Sequence, residues 1–257
     1  MTTKAALRPL LVVAGVGGGS GTGAASAKLF SKSGYDVALI ARNAGSLQKL
    51  SDEINSNPKL TGKATAFEAR SYSHQDMKNV FNEIWSHYDP KQTVFRAAIY
   101  NIGYPIFKPF LETTPEEFRA SLEGNVEAAY AFSREVIPKL LENQENEEFE
   151  IDGKTIVGGK GSLIFTGATA ALRGGKQTSA FSTAKGGSRN LNQSLAKEFW
   201  PQGVHVAHAI IDGRIQGEHS KSGLDPESIA QAYLNLARQE RTVWTWELDL
   251  RPAEENW

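Results

Sequence analysis

In Val12-Val13-Ala14-Gly15-Val16-Gly17-Gly18-Gly19-Ser20-Gly21-Thr22-Gly23-Ala24-Ala25, a valine-rich run breaks into a glycine cluster and then into an alanine-rich helical pattern. Strand, glycine turn and helix in that order make a phosphate cradle. Glycine lets the backbone turn tightly and approach a pyrophosphate, and a helix N-terminus offers unpaired N–H groups at its positive dipole end. Gly17, Gly19, Ser20, Gly21, Thr22 and Gly23 are the residues expected to hold the anion, and the flanking strand and helix favour a dinucleotide. A second candidate lies at Ile40-Ala41-Arg42-Asn43, the end of the second strand pattern. An NAD-binding chain places a carboxylate there for the ribose hydroxyls. This chain has none, and Arg42 suits a 2′-phosphate and a stacked adenine. Arg42 and Asn43 therefore point to NADP(H) rather than NAD(H).

Alternating elements must position these groups. Strand patterns fall at Leu10–Ala14, Asp36–Ala41, Ala64–Ala69, Val94–Tyr100, Ser162–Thr166, His205–Ile211 and Val243–Leu250. Helical patterns fall at 21–33, 44–55, 74–86, 114–141, 181–199 and 226–239. Thr114-Pro115-Glu116-Glu117 is a capping box with proline at the first helical position, and Asp225-Pro226-Glu227 repeats the cap-then-proline order. Alternation from end to end predicts an α/β fold: a single-domain, Rossmann-type, doubly wound parallel sheet with helices on both faces, spanning 1–257. Residues 142–160 read as a surface insertion with a hairpin turn at Asp152-Gly153, and 242–257 as the last strand and a tail.

Composition narrows the function classes. With 257 residues and a formal charge of −1, the chain offers no electrostatic case for nucleic acid or an anionic membrane. It has no cysteine, which excludes disulfides and thiolate chemistry. The start lacks a signal-like apolar segment and no run is long enough for a bilayer span, so the expected location is cytoplasmic. His205 and His208 fall on the sixth strand as structural residues, and no metal is assigned.

The chain resembles a short-chain dehydrogenase/reductase over roughly residues 8–215. Gly17-x-x-x-Gly21-x-Gly23 matches that family's glycine motif, Asn101-Ile102-Gly103 its Asn-Ala-Gly motif, Asn125 its catalytic-site asparagine, and Phe181-x-x-x-Lys185 its Tyr-x-x-x-Lys. The resemblance implies that Asn101, Gly103, Lys185 and Gly213 join the cofactor site, with Lys185 on the ribose hydroxyls and Asn125 holding helix geometry or a water. It also implies a small-molecule substrate and a homodimer or homotetramer built on helices 114–141 and 181–199, with Ala128 and Ala184 on the joining faces. The sequence departs from the family at the reacting centre. Phe181 replaces the tyrosine, Ala168 falls at the serine position with Thr166 and Thr169 nearby, and Asp212-Gly213 replaces Pro-Gly. The family's adenine-side aspartate has no match in Arg70-Ser71-Tyr72.

A positioned general acid contributes about 10²–10⁴-fold, roughly 3–5 kcal/mol, and losing an oxyanion hydrogen bond costs about another 10²–10³-fold. Ordinary ketone chemistry should be poor without a substitute acid such as Asp212, Tyr104 or a threonine. Hydride addition to an iminium carbon needs no proton. The expected function is NADPH-dependent reduction of an imine, iminium or activated carbonyl. The alternatives are a cofactor-binding protein without turnover and a non-redox cyclase or isomerase. Segments 103–110 and 172–180 are expected to line the cleft and suit a hydrophobic substrate. Arg214–Leu224 reads as a lid hinged at Gly217 and Gly223, and the tail as closing the cleft or, by preference, packing at a subunit interface.

Overall fold

Strand runs that are apolar at every position need cover on both sides, and the sheet they form is sandwiched accordingly. The computed structural model describes residues 7–144, 148–151, 154–216 and 223–254, with the backbone alone over 148–151 and 154–157. The chain runs β1 (Arg8–Ala14), α1 (Thr22–Lys32), β2 (Asp36–Ala41), α2 (Ala44–Ser56), β3 (Ala64–Glu68), α3 (His74–His87) and β4 (Thr93–Tyr100). It continues through α4 (Pro115–Leu122), α5 (Ala128–Leu141), β5 (Glu148–Ile151), β6 (Lys154–Val157), β7 (Gly161–Ala168), α6 (Ser179–Phe199), β8 (Val204–Ile211), α7 (Pro226–Ala237) and β9 (Glu247–Leu250). Seven strands in the order β3-β2-β1-β4-β7-β8-β9 form one sheet, parallel throughout. This is the doubly wound Rossmann-type sheet that the alternation predicts.

Alternate residues of β1 supply the two cores. Leu10, Val12 and Ala14 pack with Phe81 of α3 and Phe132 of α5, while Leu11 and Val13 pack with Ala27 of α1, Leu50 of α2 and Tyr233 of α7. The Thr114 capping box forms, and Asp225 caps α7 with Pro226 in the first turn. Among the described residues no helix is long and apolar enough to cross a membrane.

Several expectations are corrected. The helix at 114–141 is interrupted by a π-helical turn at Glu123–Glu127. The wider turn frees carbonyls from the helical ladder, and side chains meet them: Tyr100 Oη donates to Gly124 O at 2.8 Å and Asn125 Nδ2 to Ser121 O at 2.8 Å. Ala128 and Ala184 are buried in their own protomer, 1% and 0% exposed, so neither lies on a joining face. The last strand is shorter than Val243–Leu250, because Arg241–Val243 forms a 3₁₀ turn and Trp244 stacks on His205 at 5.0 Å. The tail through Pro252 packs on the protomer itself: Trp246 stacks on His208 at 5.9 Å, and a Cβ added to Gly213 would lie 2.9 Å from Pro252 Cδ. Strands β5 and β6 pair as an antiparallel hairpin apart from the main sheet. The predicted Asp152-Gly153 turn, the Gly217 hinge, the first six residues and Trp257 lie outside the described residues.

Candidate active site

The end of β1 lies where strand order reverses, between β2 on one side and β4 on the other, the place where doubly wound sheets open a crevice. Two kinds of glycine build the cradle there. Gly15, with φ +93°, sits where a Cβ would lie 2.7 Å from the carbonyl carbon of Asn101, and a Cβ on Gly23 would lie 2.4 Å from Gly15 O. These two permit the loop, β4 and α1 to close on one another. Gly17, Gly19 and Gly21 instead face open space. Gly21 is the N-cap of α1 and makes no side-chain cap bond, and the first turn carries no acidic residue. The first-turn amides are therefore available to an anion. Ser20 is exposed, whereas Thr22 is 2% exposed and offers its amide rather than its hydroxyl. This arrangement fits a dinucleotide pyrophosphate.

A cleft of about 1280 Å³ runs from this cradle past Arg42 and Tyr72 to Gly103 and Tyr104. Arg42 is exposed, with its guanidinium 5.1 Å from the Tyr72 ring centroid. Burial pushes the Tyr72 hydroxyl above its ordinary pKa, so it stays neutral beside the arginine. Tyr72 thus lines the cleft beside Arg42, in the segment where the sequence offered no aspartate. Asn43 lines the same cleft, but its Oδ1 accepts from Ser46 N at 2.9 Å as the N-cap of α2. Its main service is structural. Replacement of Arg42 by alanine is expected to weaken NADPH binding roughly 10- to 100-fold, the worth of hydrogen bonds to a charged group, and to leave NADH binding little changed. Calorimetric titration with both dinucleotides reads this directly.

Asn101 and Gly103 line the far end, and Asn125, Thr166, Phe181 and Lys185 gather next to them. Asn101 Nδ2 donates to Gly15 O at 2.8 Å. A Cβ on Gly103 would lie 3.8 Å from both Asn125 Oδ1 and Lys185 Nζ. Asn125, 1% exposed, donates to Tyr104 O at 3.1 Å and accepts from Tyr104 N at 3.4 Å. It clasps the loop after β4 against the π turn. Lys185 is buried and donates from Nζ to Thr166 O at 3.0 Å. Burial lowers its pKa to about 8, because the charged amine loses hydration. Its amine lies 5.9 Å from the Phe181 ring centroid, and Phe181 faces Phe107 at 5.6 Å. Lys108 N donates to Gln177 O at 2.8 Å, so the two segments expected to line the cleft do meet.

The substitute acids fare differently. The Thr166 hydroxyl donates to Asn101 Oδ1 at 2.8 Å, and the Thr169 hydroxyl donates to Asp212 Oδ1. Asp212 is 3% exposed; its Oδ2 pairs with Arg251 at 2.7 Å and lies 3.9 Å from Arg173. In this arrangement both threonine protons are directed into the protein and the aspartate anchors the tail. His205 and His208 are both buried in β8, as structural residues should be. His205 Nε2 lies 2.9 Å from Thr245 O, and His208 Nδ1 lies 3.0 Å from Glu247 Oε2. Sequence reasoning missed Gly15, Tyr72 and Arg251 as parts of the site. Tyr72 was visible three residues past the third strand pattern, but the other two depend on distant neighbours.

Fold and cradle together define a dinucleotide-binding α/β protein of the oxidoreductase type. The short chain dehydrogenase family model matches residues 11–227, and the chain belongs to the short-chain dehydrogenase/reductase family. A short-chain dehydrogenase from Rhodopseudomonas palustris is 31% identical, with TM-score 0.75 over 95% of this chain and 98% of that one. A metagenomic short-chain oxidoreductase in complex with NADP shares the fold at 21% identity, with TM-score 0.77 over 96% and 99% of the two chains. Among curated proteins, mouse 3-oxoacyl-[acyl-carrier-protein] reductase is 26% identical over 210 residues, 82% of this chain and 78% of that protein. A very-long-chain 3-oxoacyl-CoA reductase of Lodderomyces elongisporus is 30% identical over 197 residues, 76% of this chain but only 52% of that protein.

Proposed function

We propose that this protein is an NADPH-dependent reductase of atypical active site, acting on an imine, iminium or activated carbonyl group of a small hydrophobic molecule. One observation carries the reading: a phenylalanine ring and a buried amine, Phe181 and Lys185, stand beside Gly103, which lines the same cleft as Arg42. The NADP-bound metagenomic relative and the 3-oxoacyl reductases among the curated relatives support it. The dinucleotide, when bound, supplies a hydride from its nicotinamide ring. The α1 amides and Arg42 hold its phosphates. Lys185, with one N–H on Thr166 O, has two more: one for a ribose hydroxyl and one for the proton that a neutral imine nitrogen or carbonyl oxygen takes up; the amine then regains a proton from solvent. Phe181 and Phe107 keep water from the acceptor carbon. The same reading places the protein in a homodimer or homotetramer joined across α5 and α6, where Tyr130 is 51% exposed.

The test is NADPH oxidation against a panel of cyclic imines and electron-poor carbonyl compounds, across pH. With Lys185 as donor its cationic form is the active one. Activity is therefore present below pH 8 and falls as pH rises through about 8, the pKa that burial imposes. Lys185→Met should lower the rate on neutral acceptors about 10²–10⁴-fold. A rate flat through that range and insensitive to Lys185→Met assigns the substrate as an iminium. Tight NADPH binding with no oxidation anywhere in the panel overturns the reductase reading. It would leave a cofactor-binding protein without turnover, a reading favoured by the engagement of Thr166, Thr169 and Asp212 within the protein.

A further inference from the structure

Tyr233 lies on α7, on the side of the sheet away from Phe132 and the α5 core, with 0% exposure. Its ring packs in the same cluster as Ala24 and Ala27 of α1, and its hydroxyl lies 2.8 Å from Thr166 Oγ1 on β7. Thr166 Oγ1 donates to Asn101 Oδ1 at 2.8 Å, and Asn101 Nδ2 donates to Gly15 O at 2.8 Å. The four groups form one chain from α7 through β7 and β4 to the start of the glycine loop.

The direction of every bond in this chain follows from donor arithmetic. Gly15 O can only accept, so the Asn101 amide nitrogen must face it and the amide oxygen must face Thr166. Thr166 has one hydroxyl proton, which that oxygen takes. The remaining contact must then be donated by Tyr233. Burial holds the Tyr233 hydroxyl far above its ordinary pKa, so it remains a donor at every working pH. Removing that one hydroxyl leaves the buried Thr166 oxygen without its incoming proton and takes away the polarisation that strengthens its own bond to Asn101.

The far end of the chain matters because Gly15 O is a contact point for α1. A Cβ on Gly23 would lie 2.4 Å from that oxygen, so where the carbonyl points sets how the first turn of α1 seats against the loop. Thr166 also reaches the other end of the cleft, since its main-chain oxygen accepts from Lys185 Nζ at 3.0 Å. One residue of β7 thereby ties the pyrophosphate cradle to the buried amine, and α7 supplies the proton that orients its side chain.

We propose that Tyr233 is a positioning residue for the dinucleotide site, fixing the Gly15 carbonyl and the first turn of α1 through Thr166 and Asn101. The inference rests on the dinucleotide reading above for its consequence, and its structural half can be measured without any ligand. In ligand-free protein, Tyr233→Phe and Thr166→Val should speed hydrogen exchange of the amides at 15–19 and 22–24, while Thr166→Ser, which keeps the hydroxyl, should not. NADPH affinity, titrated well below the melting temperature, should fall about 3- to 10-fold in Tyr233→Phe and Thr166→Val, the worth of one neutral hydrogen bond, and be retained in Thr166→Ser. A role confined to stability would lower melting temperature with exchange in the loop and affinity unchanged, and that result overturns the proposal. If the unaltered protein binds neither NADPH nor NADH, the reductase reading fails, and faster loop exchange in Tyr233→Phe still establishes the coupling.

Discussion

Gly15→Ala is expected to lower stability by about 2–5 kcal/mol and to abolish dinucleotide binding. Two costs combine. The residue sits at φ +93°, a region that costs an L-residue roughly 1–2 kcal/mol. The new methyl would also stand 2.7 Å from Asn101 C and Ile102 N, and overpacking of that kind costs typically about 1–3 kcal/mol. Both obstacles are main chain, so no side chain can swing aside. Relief requires the loop to lift from β4, which carries the α1 amides away from where a pyrophosphate would bind. Gly18→Ala is the control. Its Cβ meets nothing within 4 Å and its φ is not positive, so stability should stay within about 0.5 kcal/mol. In a chain of this size the Gly15 change corresponds to a melting temperature lower by about 5–15 °C, read by calorimetry. Equal melting temperatures for the two variants would sink the packing argument.

The second large effect is acid destabilisation. Burial lowers the pKa of both His205 and His208 to about 4, from an ordinary 6.5. Each ring is 1% exposed, and neither neighbour offsets the lost hydration. The folded protein therefore holds both rings neutral while the unfolded chain protonates them from about pH 6.5 downward. Between about pH 4 and 6.5 the unfolded state binds more protons, so stability falls as pH falls through that window. Each ring contributes about 2 kcal/mol of loss between pH 7 and 5, and the pair up to about 4 kcal/mol. Chemical denaturation at the two pH values measures it. Substituting His205 by asparagine should flatten the dependence by about half, even if it also lowers the baseline. The effect is local in origin: His205 is stacked under Trp244, and His208 is closed in by Trp246 and by Gly167, where a Cβ would lie 2.3 Å from His208 Nε2. Glu247 adds to it at lower pH, since the Arg189 hydrogen bond holds its carboxylate below the usual range and that stabilisation is lost on protonation.

Both effects come from residues whose types were plain in the sequence and whose environments were not. Gly15 stood in the glycine run but drew no separate notice, because its requirement comes from Asn101, 86 positions on. The histidines were placed on the sixth strand, but that both are capped by tail tryptophans depended on the tail folding back onto β8. The expectation that Ala128 and Ala184 join subunits failed for a related reason. Small residues on a helix read alike whether they meet another subunit or the interior of their own protomer, and here both are buried in the protomer. The unbroken helix at 114–141 was a sound periodic reading. It missed the π turn because that turn spans only Glu123–Glu127 and its stabilising bonds come from Tyr100 and from Asn125.

The sequence by itself determined the order of strands and helices, the parallel doubly wound sheet, the position of the phosphate cradle and the absence of a tyrosine before Lys185. These are local properties, carried by side-chain periodicity, glycine and proline placement, and residue identity. Tertiary structure alone decided which polar groups have a proton to give. Thr169 meets Asp212 across 43 positions, and Thr166 meets Asn101 across 65 and Tyr233 across 67. A hydroxyl's hydrogen-bond direction is set by whatever the fold brings within 3 Å of it, and no spacing along the chain encodes that neighbour.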